Sequence, residues 1–378
     1  MQMKNDQIQA EGAEPCVKRR FPLVFKIFFG ICALSIVLYV IFLFSEGFAD
    51  FFNRYISSVI RAALAYATSW IPFSLAEFIL IISPLILIAV IRFGLRKYSN
   101  SWRDVFIYCA SMVSVIALVF SIFIMGFAPA YRGTTLDEKL GIERREVSAD
   151  ELYATAEILT EKIREEYRNV YFNENTDFSV MPYDFKEMNN KLLAAYDKIC
   201  DKYSFVQRLH SKVKPVMLSE PLSYTHITGV YSFFTGEANI NVNFPDYSIP
   251  FTAAHELAHQ RGIAREDEAN FMAFLVCIES DDPYIRYSGY VQLYEYVASS
   301  LGDADAAAYI KNWNSLPRPV QKEIAAFGNF FKKYQHSKVS EVTDKVNDKF
   351  LTSQGTAGTK SYGMVVDLAV AYYLPKTN

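Results

Sequence analysis

The chain has 378 residues, 51% hydrophobic and 21% charged, which excludes wholesale disorder and allows at least one large buried core. Residues 1–130 carry 11 Lys and Arg against 7 Asp and Glu, and residues 131–378 carry 27 against 34, so neither half is basic enough to take nucleic acid as a partner. Cys16, Cys32, Cys109, Cys200 and Cys277 show no C-x-x-C spacing, which excludes a disulfide framework and a cysteine-based zinc knuckle.

Three apolar runs reach the roughly 20 residues needed to cross a bilayer: Phe21–Ser45, Ile71–Ile91 and Val105–Pro129. The first follows Lys18, Arg19 and Arg20 like a signal peptide, but its apolar stretch is too long and no convincing A-x-A site follows, so it reads as an uncleaved anchor. Between the first two runs, residues 51–66 place Phe52, Tyr55, Ile56, Val59, Ile60 and Ala63 on one helical face. Asn53, Arg54, Ser57, Ser58 and Arg61 lie opposite, which predicts an interfacial amphipathic helix. Glu77 inside the second run reads as a wetted structural carboxylate. Lys4, Lys18, Arg19 and Arg20 in the tail (residues 1–20) and Arg92, Arg96, Lys97 and Arg103 in the second loop outnumber Arg54 and Arg61 in the first. The positive-inside rule then places tail and second loop in the cytoplasm, leaving residues 131–378 outside a multi-pass cell-membrane domain at 21–130.

The outer part has no further long apolar run. Ser148–Glu151 is a capping box predicting a helix to about Tyr167, and Asp184 with Glu187 opens another to about Tyr203. Residues 232–243 alternate, Ala238, Ile240 and Val242 against Asn239, Asn241 and Asn243, which predicts a strand with a hairpin turn at Gly236. From Pro250 the pattern is helical, with breaks near Gly262, Asp282–Pro283, Gly302, Pro317–Pro319 and Gly355–Gly358. Many helices around a small sheet make an α+β domain.

The chemistry sits in Ile249-Pro-Phe-Thr-Ala-Ala-His-Glu-Leu-Ala-His-Gln-Arg-Gly262. Pro250 suits a first helical turn and Gly262 the left-handed position just past the last. His255 and His259, four apart, project from one face and can share a Zn²⁺ ion. Glu256, about 100° around the helix, suits a base acting on metal-bound water rather than a ligand. Beyond the glycine, Glu266 and Glu268 are two apart and cannot both face one metal; Glu266 shares a face with Asn270, which favours Glu266 as the third ligand with Asn270 orienting. Ala269, Ala273 and Val276 would let that helix approach another closely. His226 and the tyrosines 284, 287 and 290 are weaker candidates for a transition-state donor, His210 and His336 have no partner pattern, and Cys277 reads as core.

H-E-x-x-H followed by E-x-x-A-N is similar to the pattern of gluzincin-like metallopeptidases. The run H-E-L-A-H-Q-R-G-x-A-R-E-D-E-A-N-F over His255–Phe271, the three N-terminal spans and Ser361–Leu368 (S-Y-G-x-V-V-D-L) together resemble the bacterial membrane family catalogued as DUF 3810 over nearly the full length. The resemblance implies a zincin-like fold and a presumed peptidase, with the later Glu as zinc ligand. Only six residues separate His259 from Glu266, a compact spacing nearer to the H-E-x-x-H-x-x-G-x-x-H arrangement.

The expected architecture is three N-terminal transmembrane helices followed by a mainly helical zincin-like domain with a small sheet. The expected function is a membrane-anchored zinc metallopeptidase cleaving a peptide or envelope protein outside the cytoplasm, with the 237–243 strand open to an extended substrate. The charges beside the motif argue against an intramembrane protease. A non-enzymatic envelope sensor or scaffold with a structural metal site is the alternative, against which only three ligands, not four, can be named.

Overall fold

A helix that is apolar all round must lie in lipid or in a core, and the first part of the chain is built from such helices. The computed structural model describes residues 20–99, 101–335 and 337–375. Lys4, Cys16, Lys18, Arg19 and His336 therefore lie outside the described residues. Helix α1 (Leu23–Phe44) is followed after one residue by α2 (Glu46–Phe52), a π-helical turn at Asn53–Ser57 and α3 (Ser58–Thr68), and then by α4 (Leu75–Tyr98) and α5 (Trp102–Gly126). Helices α1, α4 and α5 are long and apolar enough to span a membrane.

The second span is shifted from its expected place. Ser74 accepts a hydrogen bond from the Glu77 main-chain N–H at 3.0 Å and so starts α4 four residues late. The helix then runs on through Arg92, Arg96 and Lys97 to Tyr98. Glu77 consequently lies in the first turn, where its carboxylate accepts from the main chain of Met217 and Leu218 at 2.8 and 2.7 Å, a structural use as expected. Glu237 serves the same helix, accepting from Leu75 and Ala76 N–H at 3.1 and 2.9 Å. Two carboxylates from the outer part and the helix itself thus satisfy donors at this junction.

The stretch expected as an interfacial helix also serves as a joint. Its apolar side remains open, with Tyr55 57% and Val59 64% exposed, but its polar side turns into the protein and leaves Arg61 only 2% exposed. Phe52 joins Phe42 of α1, Phe123 of α5 and Phe127 just past its end in a small core that also includes Ala264. A purely local reading of amphipathicity could not see that the polar face has a protein to dock on.

The outer part continues with α6 (Leu136–Leu140), α7 (Ala149–Glu166) and α8 (Phe185–Lys202). The capping box at Ser148 is formed, and Asp184 caps α8 through the Glu187 N–H at 2.8 Å. Strand β1 (Lys214–Pro215), helix α9 (Ser219–Ser223) and strands β2 (Gly229–Ser232) and β3 (Glu237–Ile240) follow. The sheet order is β1-β3-β2, with β3 parallel to β1 and antiparallel to β2, and the hairpin turns at Gly236 in the left-handed region, φ +71°. Strand β3 is therefore central and cannot add a substrate strand; the edge strands among the described residues are β1, only two residues long, and β2. Nor does β3 alternate between inside and outside: residues 237 to 240 are all buried, and Val242, expected inward, is exposed.

Helices α10 (Ile249–Gln260), α11 (Glu266–Ile278) and α12 (Pro283–Ala304) form the centre of the main core, and every residue of α10 is buried. Ala269, Ala273 and Val276 lie buried in α11 as expected, and α12 approaches so closely that a Cβ on Gly289 would lie 2.4 Å from the Cys277 Cβ. Helices α13 (Ala306–Trp313), α14 (Arg318–Phe331), α15 (Lys338–Ser353) and α16 (Val365–Tyr373) complete the chain. The break expected at Gly302 falls at Asp305, whose side chain caps α13. Helix α15 leaves Val339, Val342 and Val346 exposed on one stripe, and Phe350 at its end packs on Phe123 of α5, ring centroids 5.9 Å apart.

Glu323, on α14, is fully buried and accepts from the Ser179 N–H and Oγ at 2.7 and 2.6 Å and from the Tyr287 hydroxyl. Burial lifts its carboxyl to about 7 against those hydrogen bonds, and burial with Glu323 nearby lifts Glu295 to about 8. Both values are raised above the unfolded one, so between about pH 4.5 and 8 the folded state holds more protons and stability falls as pH rises. The thermal midpoint of the full-length protein in detergent should decline over that window, and Glu323→Gln should flatten the decline; an unchanged slope would refute the assignment.

Candidate metal centre

Pro250 in the first turn and Gly262 just past the last bound α10 as the sequence indicates, with Gly262 at φ +86°. The Gly262 N–H donates to His259 O at 2.9 Å and the Ile263 N–H to Ala258 O at 3.1 Å. This turn brings the Ile263 carbonyl to 2.8 Å from His259 Nδ1, which donates to it and leaves the Nε2 lone pair free. It also sends the chain back so that α11 starts beside α10.

Glu266, the first residue of α11, closes the group. Its Oε2 lies 3.3 Å from both His255 Nε2 and His259 Nε2, and the three ligand atoms lie within 4.8 Å of one another. The imidazole planes stand at 90° with centroids 4.5 Å apart. Among the described residues Glu266 Oε2, His255 Nδ1 and Glu256 Oε2 are buried without a hydrogen-bond partner. Two ligand atoms at about 2.0–2.1 Å from a tetrahedral ion lie about 3.3 Å apart, so the donor set fits a zinc-like cation. Burial alone would raise the Glu266 carboxyl, but His259 and His255 outweigh it and hold it well below the usual carboxylate range. Burial, with His259 adding, depresses His255. For His259 burial acts the same way, but Glu266 more than reverses it and lifts the group to about 9.

Glu256 projects toward the sheet. Gly229 of β2 abuts it so tightly that a Cβ there would stand 2.5 Å from Glu256 Oε1. Burial, opposed by His259, pushes its carboxyl up to about 8. The neighbouring acids of α11 have other duties: Asp267 pairs with Arg144 at 2.6 Å, and Glu268 accepts from the Leu136 N–H at 3.0 Å and from Arg265 at 2.9 Å. Asn270 donates toward Tyr296 Oη and Tyr362 O at 3.3 and 3.4 Å, and the group of the centre it favours is His255, not Glu266.

The weaker candidates are structural. His226 lies 3.0 Å from Tyr334 O, His210 pairs with Asp197, Tyr284 and Tyr287 serve the Ser179–Glu323 cluster, and Tyr290 and Cys277 are core. The sequence reading missed Tyr131 and Tyr362. Burial keeps both phenols protonated, with Glu266 adding to each and Glu256 to Tyr362. Tyr362 lies within the S-Y-G element already singled out, whereas Tyr131 carried no signal. Phe127, just past α5, sets its ring against His259 at 6.1 Å.

A Cβ on Gly262 would stand 2.4 Å from Arg61 Nη2 and 2.8 Å from Asn53 Oδ1. Gly262→Ala should therefore destabilise the full-length protein by more than the roughly 1 kcal/mol of a left-handed alanine alone, read as a drop in its thermal midpoint. An unshifted midpoint would show that this turn is not tightly held.

No curated protein and no solved structure matches the chain. Residues 52–370, from the end of α2 into α16, match the profile of a family described as "Protein of unknown function (DUF3810)". The match takes in the joint, two of the three spans and the whole candidate centre, and the chain belongs to the DUF3810 family.

Proposed function

We propose that this chain is a membrane-anchored zinc metallopeptidase acting outside the cytoplasm. The observation that carries the reading is the convergence of His255 Nε2, His259 Nε2 and Glu266 Oε2 beside a fourth buried group, Glu256, that forms no ion pair among the described residues. Two imidazoles and one carboxylate suit zinc and leave a fourth position for water. Zinc, when bound, supplies a Lewis acid and a water acidic enough to lose a proton near neutrality. Glu256 Oε2, which has no hydrogen-bond partner among the described residues, would be the atom to take up that proton, with bound zinc favouring its ionised form, and to pass it to the leaving amine. The Tyr362 and Tyr131 hydroxyls, both within the electrostatic reach of Glu266, are candidate donors to a developing oxyanion. An extended peptide pairs with the free edge of β2, which passes Glu256 at Gly229. The fold would be zincin-like in this reading.

Orientation rests on charge. Arg61 is consumed inside the protein, leaving Arg54 as the one exposed basic residue of the first connection against Arg92, Arg96, Lys97 and Arg103 at the other end of the spans. A reporter active only outside the cytoplasm, fused after Arg132, should be active; a silent fusion at normal expression would reverse the topology.

The burial of all four residues also suits a structural metal site in an envelope sensor or scaffold. Metal analysis and peptide-library cleavage by the full-length protein separate the two. Glu256→Gln should keep one zinc per chain and lose about 10²-fold or more of the cleavage rate. Glu266→Ala should lose the zinc, while Glu268→Ala should keep it at a lower thermal midpoint, because the Leu136 N–H and Arg265 lose their partner. Cleavage undiminished in Glu256→Gln would sink the peptidase reading, and zinc without any cleavage by the wild type would favour the structural one.

A further inference from the structure

Outside the candidate metal centre, a partly open cavity of about 440 Å³ lies between the Asn53–Ser57 turn and α3 on one side and Lys139 and the 204–207 loop on the other. Its charges do not balance. Lys139 and Asp50 answer each other at 2.9 Å. Arg61 donates to the oxygens of Asn53, Gly126 and Gln207, all neutral. Arg261, 3% exposed, donates to the Leu257 and Leu209 carbonyls and lies 3.9 Å over the Tyr196 ring. Neither guanidinium forms an ion pair among the described residues, and the Nε of each is buried without a hydrogen-bond partner. Arg54, at the rim, has its guanidinium over the Tyr55 ring at 5.6 Å and forms no ion pair there either. Two buried guanidiniums and one at the rim thus line one cavity without a carboxylate to pair with, and buried charge in that state favours an anion that supplies the balance.

The position of the cavity says which anion is at hand. Arg61 bonds Gly126 O, the last residue of the third span, at 2.9 Å, and α2 begins one residue after the first span ends. The cavity thus stands where hydrocarbon gives way to headgroups. Tyr55 and Val59, exposed from the same helical stretch, continue the apolar surface beside it. A phosphodiester with three guanidiniums around it is the pairing that such a level favours.

We propose that this cavity binds the phosphate-bearing headgroup of an anionic phospholipid. An occupant there touches the same Arg61 whose neighbour Asn53 holds the Gly262 carbonyl at 3.0 Å, so it also braces the turn before Glu266. The site does not depend on the peptidase reading.

The test is the thermal midpoint of the full-length protein in a non-ionic detergent, titrated with dioctanoyl phosphatidylglycerol, with dioctanoyl phosphatidylcholine and with inorganic phosphate. The wild type should be stabilised by the phosphatidylglycerol and not by the phosphatidylcholine. Arg54→Gln, on the exposed rim, should need about tenfold more lipid for the same shift. Ser204→Trp, which plugs the mouth from an exposed position, should abolish the response while leaving the unliganded midpoint near that of the wild type. Inorganic phosphate acting as strongly as the lipid would keep the anion site and overturn its lipid source. Equal responses to both lipids, or equal responses of the wild type and both variants, would overturn the site itself.

Discussion

One buried guanidinium connects everything that matters in this molecule. Arg61 reaches Gly126 at the end of the third span, Asn53 in the joint and Gln207 in the outer part, at 2.7 to 3.4 Å. Asn53 passes the connection to the Gly262 carbonyl, and Gly262 sets the turn from which His259 takes its orienting carbonyl and Glu266 its place. Very few hydrogen bonds therefore separate a membrane helix from the candidate metal centre. The same economy explains why Gly262 must be glycine, since backbone angle and Arg61 both exclude a side chain there.

Carboxylates complete the junction. Glu77 and Glu237 bind main-chain N–H groups around the start of α4, and Asp50 receives Thr134 and Lys139. Hydrogen bonds to charged groups contribute roughly 1.5–3 kcal/mol each when sheltered, so these polar contacts add to the aromatic core that joins the spans to the outer part. An acidic excess in the outer part is consistent with that use: its acids are employed as caps and braces as well as solvated surface.

The spans, the capped helices, the hairpin turn and the three converging residues were all legible, because each rests on a local pattern: apolar length, a capping box, a glycine, a four-residue helical repeat. What escaped was long-range. Nothing in residues 51–66 says that Arg61 will be buried rather than wetted, because the partner that buries it begins some 65 residues later. Strand β3 looked like an edge because β1 is only two residues long and gives no periodic signal. Glu266 could be preferred to Glu268 from helical phase, but the reason Glu268 is unavailable, its bond to the Leu136 N–H, is a tertiary fact. Tyr131 sits where the third span gives out, and only the folded chain brings it to Glu266.

Phe127 follows the last residue of the third span and rests on His259, while Phe233 beside the β2–β3 turn packs on Phe123 of the same span at 5.2 Å. Both the candidate centre and the strand next to it are thereby fixed against the end of the same apolar helix, and so at one height above any bilayer that helix spans. For a peptidase this makes position a criterion of choice. A bond would be cut according to how far along its chain it emerges from the lipid, as on a ruler whose zero is the membrane surface, and a sequence acceptable in every other respect would pass untouched if it stood too high.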